Sequence, residues 1–290
     1  MFPPVERQAP GAAAPTGGWH NRAPGRMGIL IEVAAAAAYA VAAWAHWPAP
    51  TRAQPPLYAG RLVPLALALH AVGLVYAIAT PDGFDLSLTN AVSLVALLCV
   101  LVTWGSGFLR TLPGSAAVVL PVAAAAALAS ALIVAPHRFP YAGEPWAALH
   151  IAIALCAYAF LLVAAVTALL MTGLENRLHR GLPASGDGTP PLLTLERYLF
   201  RLIAAGFVLL TATLVTGALF SEEVFGKPFK LTHKSLLSLL AWLVFGALLL
   251  GRWRFGWRGR KARNLIVAGS ALLVLAYLGY KFVLEVVLGR

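Results

Sequence analysis

Eight long apolar runs constrain this chain more than any other feature. They cover residues 28–47, 62–80, 86–104, 114–134, 146–172, 199–220, 234–250 and 264–288. A helix rises 1.5 Å per residue, so crossing a hydrocarbon core of about 30 Å takes about 20 residues. Buried core helices of water-soluble domains are mostly shorter, and eight such runs in 290 residues leave little polar chain to cover a soluble surface. Charged residues make up only 11% of the chain and hydrophobic ones 60%, against roughly 25% charged in soluble domains. The pattern predicts an all-α, polytopic integral membrane helix bundle of about eight transmembrane helices, with the lipid bilayer as its first partner.

The formal charge of +11 would point to nucleic acid in a soluble protein. Here the basic residues cluster in short loops between apolar runs, which excludes a nucleic-acid groove binder and instead orients the bundle. Arg252, Arg254, Arg258, Arg260, Lys261 and Arg263 follow the seventh run, and Arg177, Arg180, Arg197 and Arg201 flank the link between the fifth and sixth. The positive-inside rule places that side in the cytoplasm of a bacterial inner membrane, so both termini face the periplasm. Residues 1–26 are rich in Pro, Gly and Ala, lack periodicity, and read as a disordered extension. Residues 27–290 read as a single transmembrane domain, and Met27, at the head of the first run, offers a second start for translation. Three arginines precede that run, but no small-residue cleavage site follows it. Trp44, His46 and Trp47 form an interfacial belt instead, so the run is a retained helix.

Candidates for chemistry are few. Walker loops, HExxH, GxSxG and paired-carboxylate motifs are lacking, so the expectation is binding rather than bond-making, and no enzyme. Cys99 and Cys156 lie far apart inside apolar runs and read as packing residues. Glu32, Lys281 and Glu285 lie near the outer ends of their runs, where long side chains reach the headgroups. Three histidines matter more: His70 in mid-run, His150 in the first turns of the fifth helix, and His233 at the start of the seventh. A ring in hydrocarbon must find a partner. Two neutral imidazoles can hold a haem iron from its two faces. Alternatively, each ring makes an interhelical hydrogen bond and nothing more, with Asn90 or Tyr158 as available partners.

The second half of the chain carries a resemblance. Leu195-Glu196-Arg197-Tyr198 leads into a helix with Gly206-Phe207, Thr211 and Thr216-Gly217. There follow Phe225-Gly226, His233-Lys234-Ser235, Trp242-Leu243-Val244-Phe245 and the turn Gly256-Trp257-Arg258-Gly259. This series resembles the cytochrome c assembly family of CcsA-like haem-handling membrane proteins. The likeness covers roughly 62–288 and looks closest to its short, eight-helix YpjD-type branch. The resemblance implies a role in cytochrome c biogenesis and haem b as cofactor, with other cytochrome c assembly proteins as partners. It further implies His150 as an outward iron ligand with His70 or His233 as the second, and Phe220, Phe225 and Phe229 packed on the porphyrin. The chain also departs from the family: the loop 217–235 lacks the tryptophans and the Asp of the CcsA haem-cradling loop, and the last helix ends without a histidine. Those losses fit a second reading, a haem-free regulator or assembly partner. A transporter is a third, given Pro64 and Pro121 inside apolar runs.

Overall fold

The computed structural model describes residues 26–46, 57–80, 83–107, 109, 114–133, 138–139, 145–181, 192–219, 233–279 and 282. The extension read as disordered falls almost wholly outside the described residues, as do Trp47, Phe220, Phe225, Phe229, Lys281 and Glu285.

Among the described residues eight α-helices follow one another: α1 (Arg26–Ala45), α2 (Leu57–Ile78), α3 (Leu88–Gly105), α4 (Ser115–Leu132), α5 (Pro145–His179), α6 (Leu192–Leu219), α7 (His233–Phe255) and α8 (Gly259–Val274). The first seven are long and apolar enough to cross a membrane. The eighth has 16 residues and opens with Arg260, Lys261 and Arg263; it continues as a π-helical turn over Leu275–Gly279. The polytopic helical class therefore stands, with several boundaries moved. α5 runs to His179 and α6 begins at Leu192, each beyond the end of its apolar run. The backbone ladder continues through charged residues that stop a hydropathy window, and α5, at 35 residues, is about 52 Å long.

Packing divides the bundle into two cores. One is built by α1 to α4 around Tyr39, Ala66, Val100, Leu120 and Ala123. The two alanine runs contribute Ala35, Ala36, Ala123, Ala124 and Ala127 to the buried interior, and α1 packs on both α2 and α4, as small residues permit between membrane helices. The other core is built by α5 to α8 around Leu161, Ile203, Phe245 and Ile266. α3 joins them, packing on both α4 and α5. Within the second core α5 and α6 approach closely: a Cβ at Gly206 would stand 2.6 Å from Leu161 Cγ. Polar side chains fasten the contacts. Tyr158 donates to the Leu273 carbonyl at 2.9 Å and Ser270 to the Leu161 carbonyl at 3.1 Å, tying α5 to α8.

A small antiparallel sheet, absent from the sequence reading, closes one rim. β1 (Ala79–Thr80), β2 (Gly83–Asp85) and β3 (Arg138–Phe139) lie in that order, with Phe84 opposite both Ala79 and Phe139. It stitches the segment after α2 to the one after α4. Strands of two or three residues carry no periodic signal.

Candidate functional site

His150 is the sixth residue of α5 and Thr216 the fourth from the end of α6. The two helices run antiparallel, with Leu161 against Gly206 deeper in the bundle, so the start of α5 meets the end of α6. There His150 Nδ1 lies 2.8 Å from Thr216 Oγ1. Thr216 Oγ1 also lies 2.8 Å from the Ala212 carbonyl oxygen. A hydroxyl has one hydrogen and a carbonyl can only accept, so when Thr216 donates to Ala212 its oxygen is left to accept. In that arrangement His150 Nδ1–H donates to Thr216 Oγ1, and the ring and the hydroxyl are both satisfied. The same tautomer leaves a lone pair on Nε2. Gly217 allows the close approach: a Cβ there would stand 3.3 Å from His150 Cε1.

The start of α7 shares this rim. Trp242 Nε1 donates to Thr211 Oγ1 at 2.9 Å and stacks on Phe207 at 5.6 Å, so α6 and α7 are antiparallel and His233 lies level with the end of α6. His233 is exposed. Lys234 lies within electrostatic reach of His150, with its ammonium 5.1 Å from the centre of the Tyr277 ring. His150 and His233 therefore stand on one rim, half-buried and exposed respectively.

His70 belongs to the other core. It is fully buried; Nε2 lies 2.8 Å from Ser93 Oγ and Nδ1 3.4 Å from Tyr39 Oη. Both ring nitrogens are engaged by α1 and α3 side chains, away from the rim of His150. Two expectations are corrected here. Asn90 and Tyr158 are not the histidines' partners, since Asn90 donates to the Asp85 carbonyl and Tyr158 to Leu273; Ser93, Tyr39 and Thr216 take that role. Glu32 does not reach to the headgroups: it is 1% exposed, and its carboxylate is 3.9 Å from His70 Nε2 and against Gly73, where a Cβ would stand 2.7 Å from Glu32 Cδ. Inward rotation of α1 hides it, and rotation is not legible in an apolar run without amphipathic contrast.

The opposite rim gathers the arginines. Glu196 accepts from Arg252 at 2.5 Å and from Arg258 at 3.0 Å, and Glu175 pairs with Arg263. Trp257 packs on Gly251, where a Cβ would stand 2.3 Å from the indole. The Lys261 ammonium lies over the same indole, 3.8 Å from the ring centre. The two segments singled out in the sequence, Leu195–Tyr198 and Gly256–Gly259, are thus partners in space, joined by Glu196 and Arg258.

A family profile described as Cytochrome C assembly protein matches residues 60–288. The chain belongs to the cytochrome c assembly protein family. The inner membrane protein YpjD of Escherichia coli is similar to it, 34% identical over 231 residues, which is 77% of this chain and 85% of that one. Two proteins of Prochlorococcus marinus, each named cytochrome c biogenesis protein CcsA, are 27% identical over 179 residues (53% of this chain, 56% of the relative) and 25% identical over 259 residues (76% and 80%). No solved structure matches. The family match takes in His70, His150, Thr216 and His233 but leaves out α1, which supplies Tyr39 and Glu32 to the pocket around His70. Sequence reasoning missed Thr216 as a functional residue. Its signal was its place in the Thr-rich end of the α6 segment that carries the resemblance, and its partner lies 66 positions away.

Proposed function

We propose that this chain is a multi-pass inner membrane protein of cytochrome c biogenesis that binds haem b through His150. The observation that carries this reading is the contact of His150 Nδ1 with Thr216 Oγ1 at 2.8 Å. An axial imidazole needs a lone pair toward iron and a hydrogen-bond acceptor behind its other nitrogen. With its proton on Nδ1, His150 meets both needs, since Thr216 Oγ1 stands behind that nitrogen to accept. The donor chemistry at this rim therefore fits a haem iron. His70 does not fit as well, because both its nitrogens are already engaged inside the other core. His233, on the rim with His150, is the better second ligand, and Phe220, Phe225 and Phe229, which precede it in the sequence, are the residues to cover the porphyrin.

Haem held there supplies a redox-active iron at the membrane surface. The chain's own residues bind and orient it: Thr216 sets the imidazole, Gly217 leaves room for the ring, and the α5–α6 contact holds both. The role is binding, with no bond made or broken by the protein. Support for the biogenesis role comes from the family and from the relatives named for cytochrome c biogenesis. The positive-inside rule puts the His150 rim on the periplasmic face, opposite the arginines.

The test is a reduced-minus-oxidised spectrum of the purified protein. A haem band that disappears in His150→Ala is expected; a wild-type protein that carries no haem and takes up none on titration refutes the reading. The second reading, a haem-free assembly partner, is favoured by one observation, the sequence 217–235 without tryptophan or Asp. It predicts that haem-free protein captures assembly partners as well as haem-loaded protein does.

A further inference from the structure

The rim of His150 holds a cation as well as an imidazole. Lys234 is the second residue of α7, exposed, and among the described residues it is the cation that acts electrostatically on His150. Aromatic rings fix its place. The ammonium lies 5.1 Å from the centre of the Tyr277 ring, within the range of a cation–π contact. Tyr277 in turn meets Tyr158 edge to face, with ring centres 5.8 Å apart, and Tyr158 is anchored to α8 by its bond to the Leu273 carbonyl. Tyr158 stands on α5 with His150, about two turns further into the bundle. The start of α7 is thus tied, ring by ring, to the helix that carries His150.

Tyr277 sits on the π-helical turn Leu275–Gly279, which packs against α7. Such turns are rare and collect at functional sites; this one carries the ring that holds the Lys234 ammonium. A lysine at a membrane surface ordinarily stretches out to the headgroups. Lys234 is instead laid over an aromatic face, within electrostatic reach of the candidate iron ligand. Successive residues of a helix point about 100° apart, so Lys234 flanks His233 and does not stand in its place.

We propose that Lys234 holds a haem propionate, with Tyr277 as the residue that positions it. The inference rests on the haem reading of this rim. Neutral imidazoles bring no charge to ferric haem, and its two ionised propionates leave the bound group net negative. A carboxylate moved out of water beside a membrane needs a partner. Lys234 supplies a positive charge and an ammonium with three N–H donors, and a charge-assisted bond of that kind is among the strong ones. His150 and Thr216 fix the imidazole; Lys234 fixes which way round the porphyrin lies against them.

The haem-free full chain in phosphatidylcholine nanodiscs is titrated with haem b and with haem b dimethyl ester, whose propionates are capped. Lys234→Met, at an exposed position, is expected to weaken haem b by about tenfold and to leave the affinity for the ester at its wild-type value. The double-mutant cycle of residue against ligand then carries the whole difference. The variant's haem also takes a lower reduction potential, because a propionate without its cation stabilises ferric iron, which a change of packing alone does not predict. Lys234→Arg keeps the wild-type discrimination between the two ligands. Arg254→Met, which removes one charge at the other end of α7, leaves both affinities unchanged. If Lys234→Met discriminates between haem b and the ester as the wild type does, the proposal is overturned while the haem reading stands. A wild type that binds neither ligand overturns the haem reading and the role of Lys234 with it.

Discussion

Thr216→Val tests the haem site at its most specific point. Valine keeps the volume and branching of threonine and replaces one oxygen with a methyl group. α6 loses no backbone hydrogen bond, because the Thr216 hydroxyl only supplements the helix by donating to Ala212. His150 loses the acceptor that stood 2.8 Å from Nδ1. Two penalties follow. The half-buried N–H stays without a partner, which costs about 1–3 kcal/mol. The ring is also free to carry its proton on Nε2, which turns the lone pair away from iron. Outer-shell hydrogen bonds of this kind are worth about 10–100-fold in metal affinity, or roughly 1.4–2.8 kcal/mol. Haem titration of haem-free protein in nanodiscs, read at the main haem absorption band, should therefore show a Kd weaker by about one to two powers of ten. Thr216→Ser, which restores the oxygen, should recover most of the loss. A valine variant with wild-type affinity, or a serine variant as weak as valine, would refute the assignment of Thr216 as the residue that orients His150.

Other expectations separate binding from folding. His150→Ala should abolish the haem band and leave the thermal midpoint almost unchanged. His70→Ala should keep the band but destabilise the fold by roughly 1–3 kcal/mol, since Ser93, Tyr39 and Glu32 lose their common neighbour; circular dichroism on heating checks both. Gly206→Val drives a Cβ to 2.6 Å from Leu161 Cγ, and such overpacking costs about 1–3 kcal/mol; Leu161→Ala in the same chain should return part of it. Cysteines placed at His233 and Trp253 should react with an impermeant maleimide from opposite faces of sealed vesicles, because the two residues lie at opposite ends of α7; labelling of both from one face would break the single-span reading of that helix.

The pairing of Glu196 with Arg258 shows how motifs read in sequence become one structure. Both residues stand in segments that the resemblance singled out, 62 positions apart, and nothing local says that they touch. The stacking of Trp257 on Gly251 and the salt bridges of Glu196 bring the segments together. The three-stranded sheet shows the opposite case, in which elements of two or three residues leave no local trace at all.

What the chain settles by itself is its solvent. Hydropathy is a property of each residue and accumulates along a run, so membrane-spanning helices, their number to within one, and their sequence of turns are visible without coordinates. Rotation about each helix axis and pairing across the bundle are not, because apolar runs present nearly equal faces to lipid and to neighbouring helices. Only the tertiary structure turned Glu32 inward, gave His70 to one core and His150 to the other, and placed Thr216 behind the ring whose chemistry it sets.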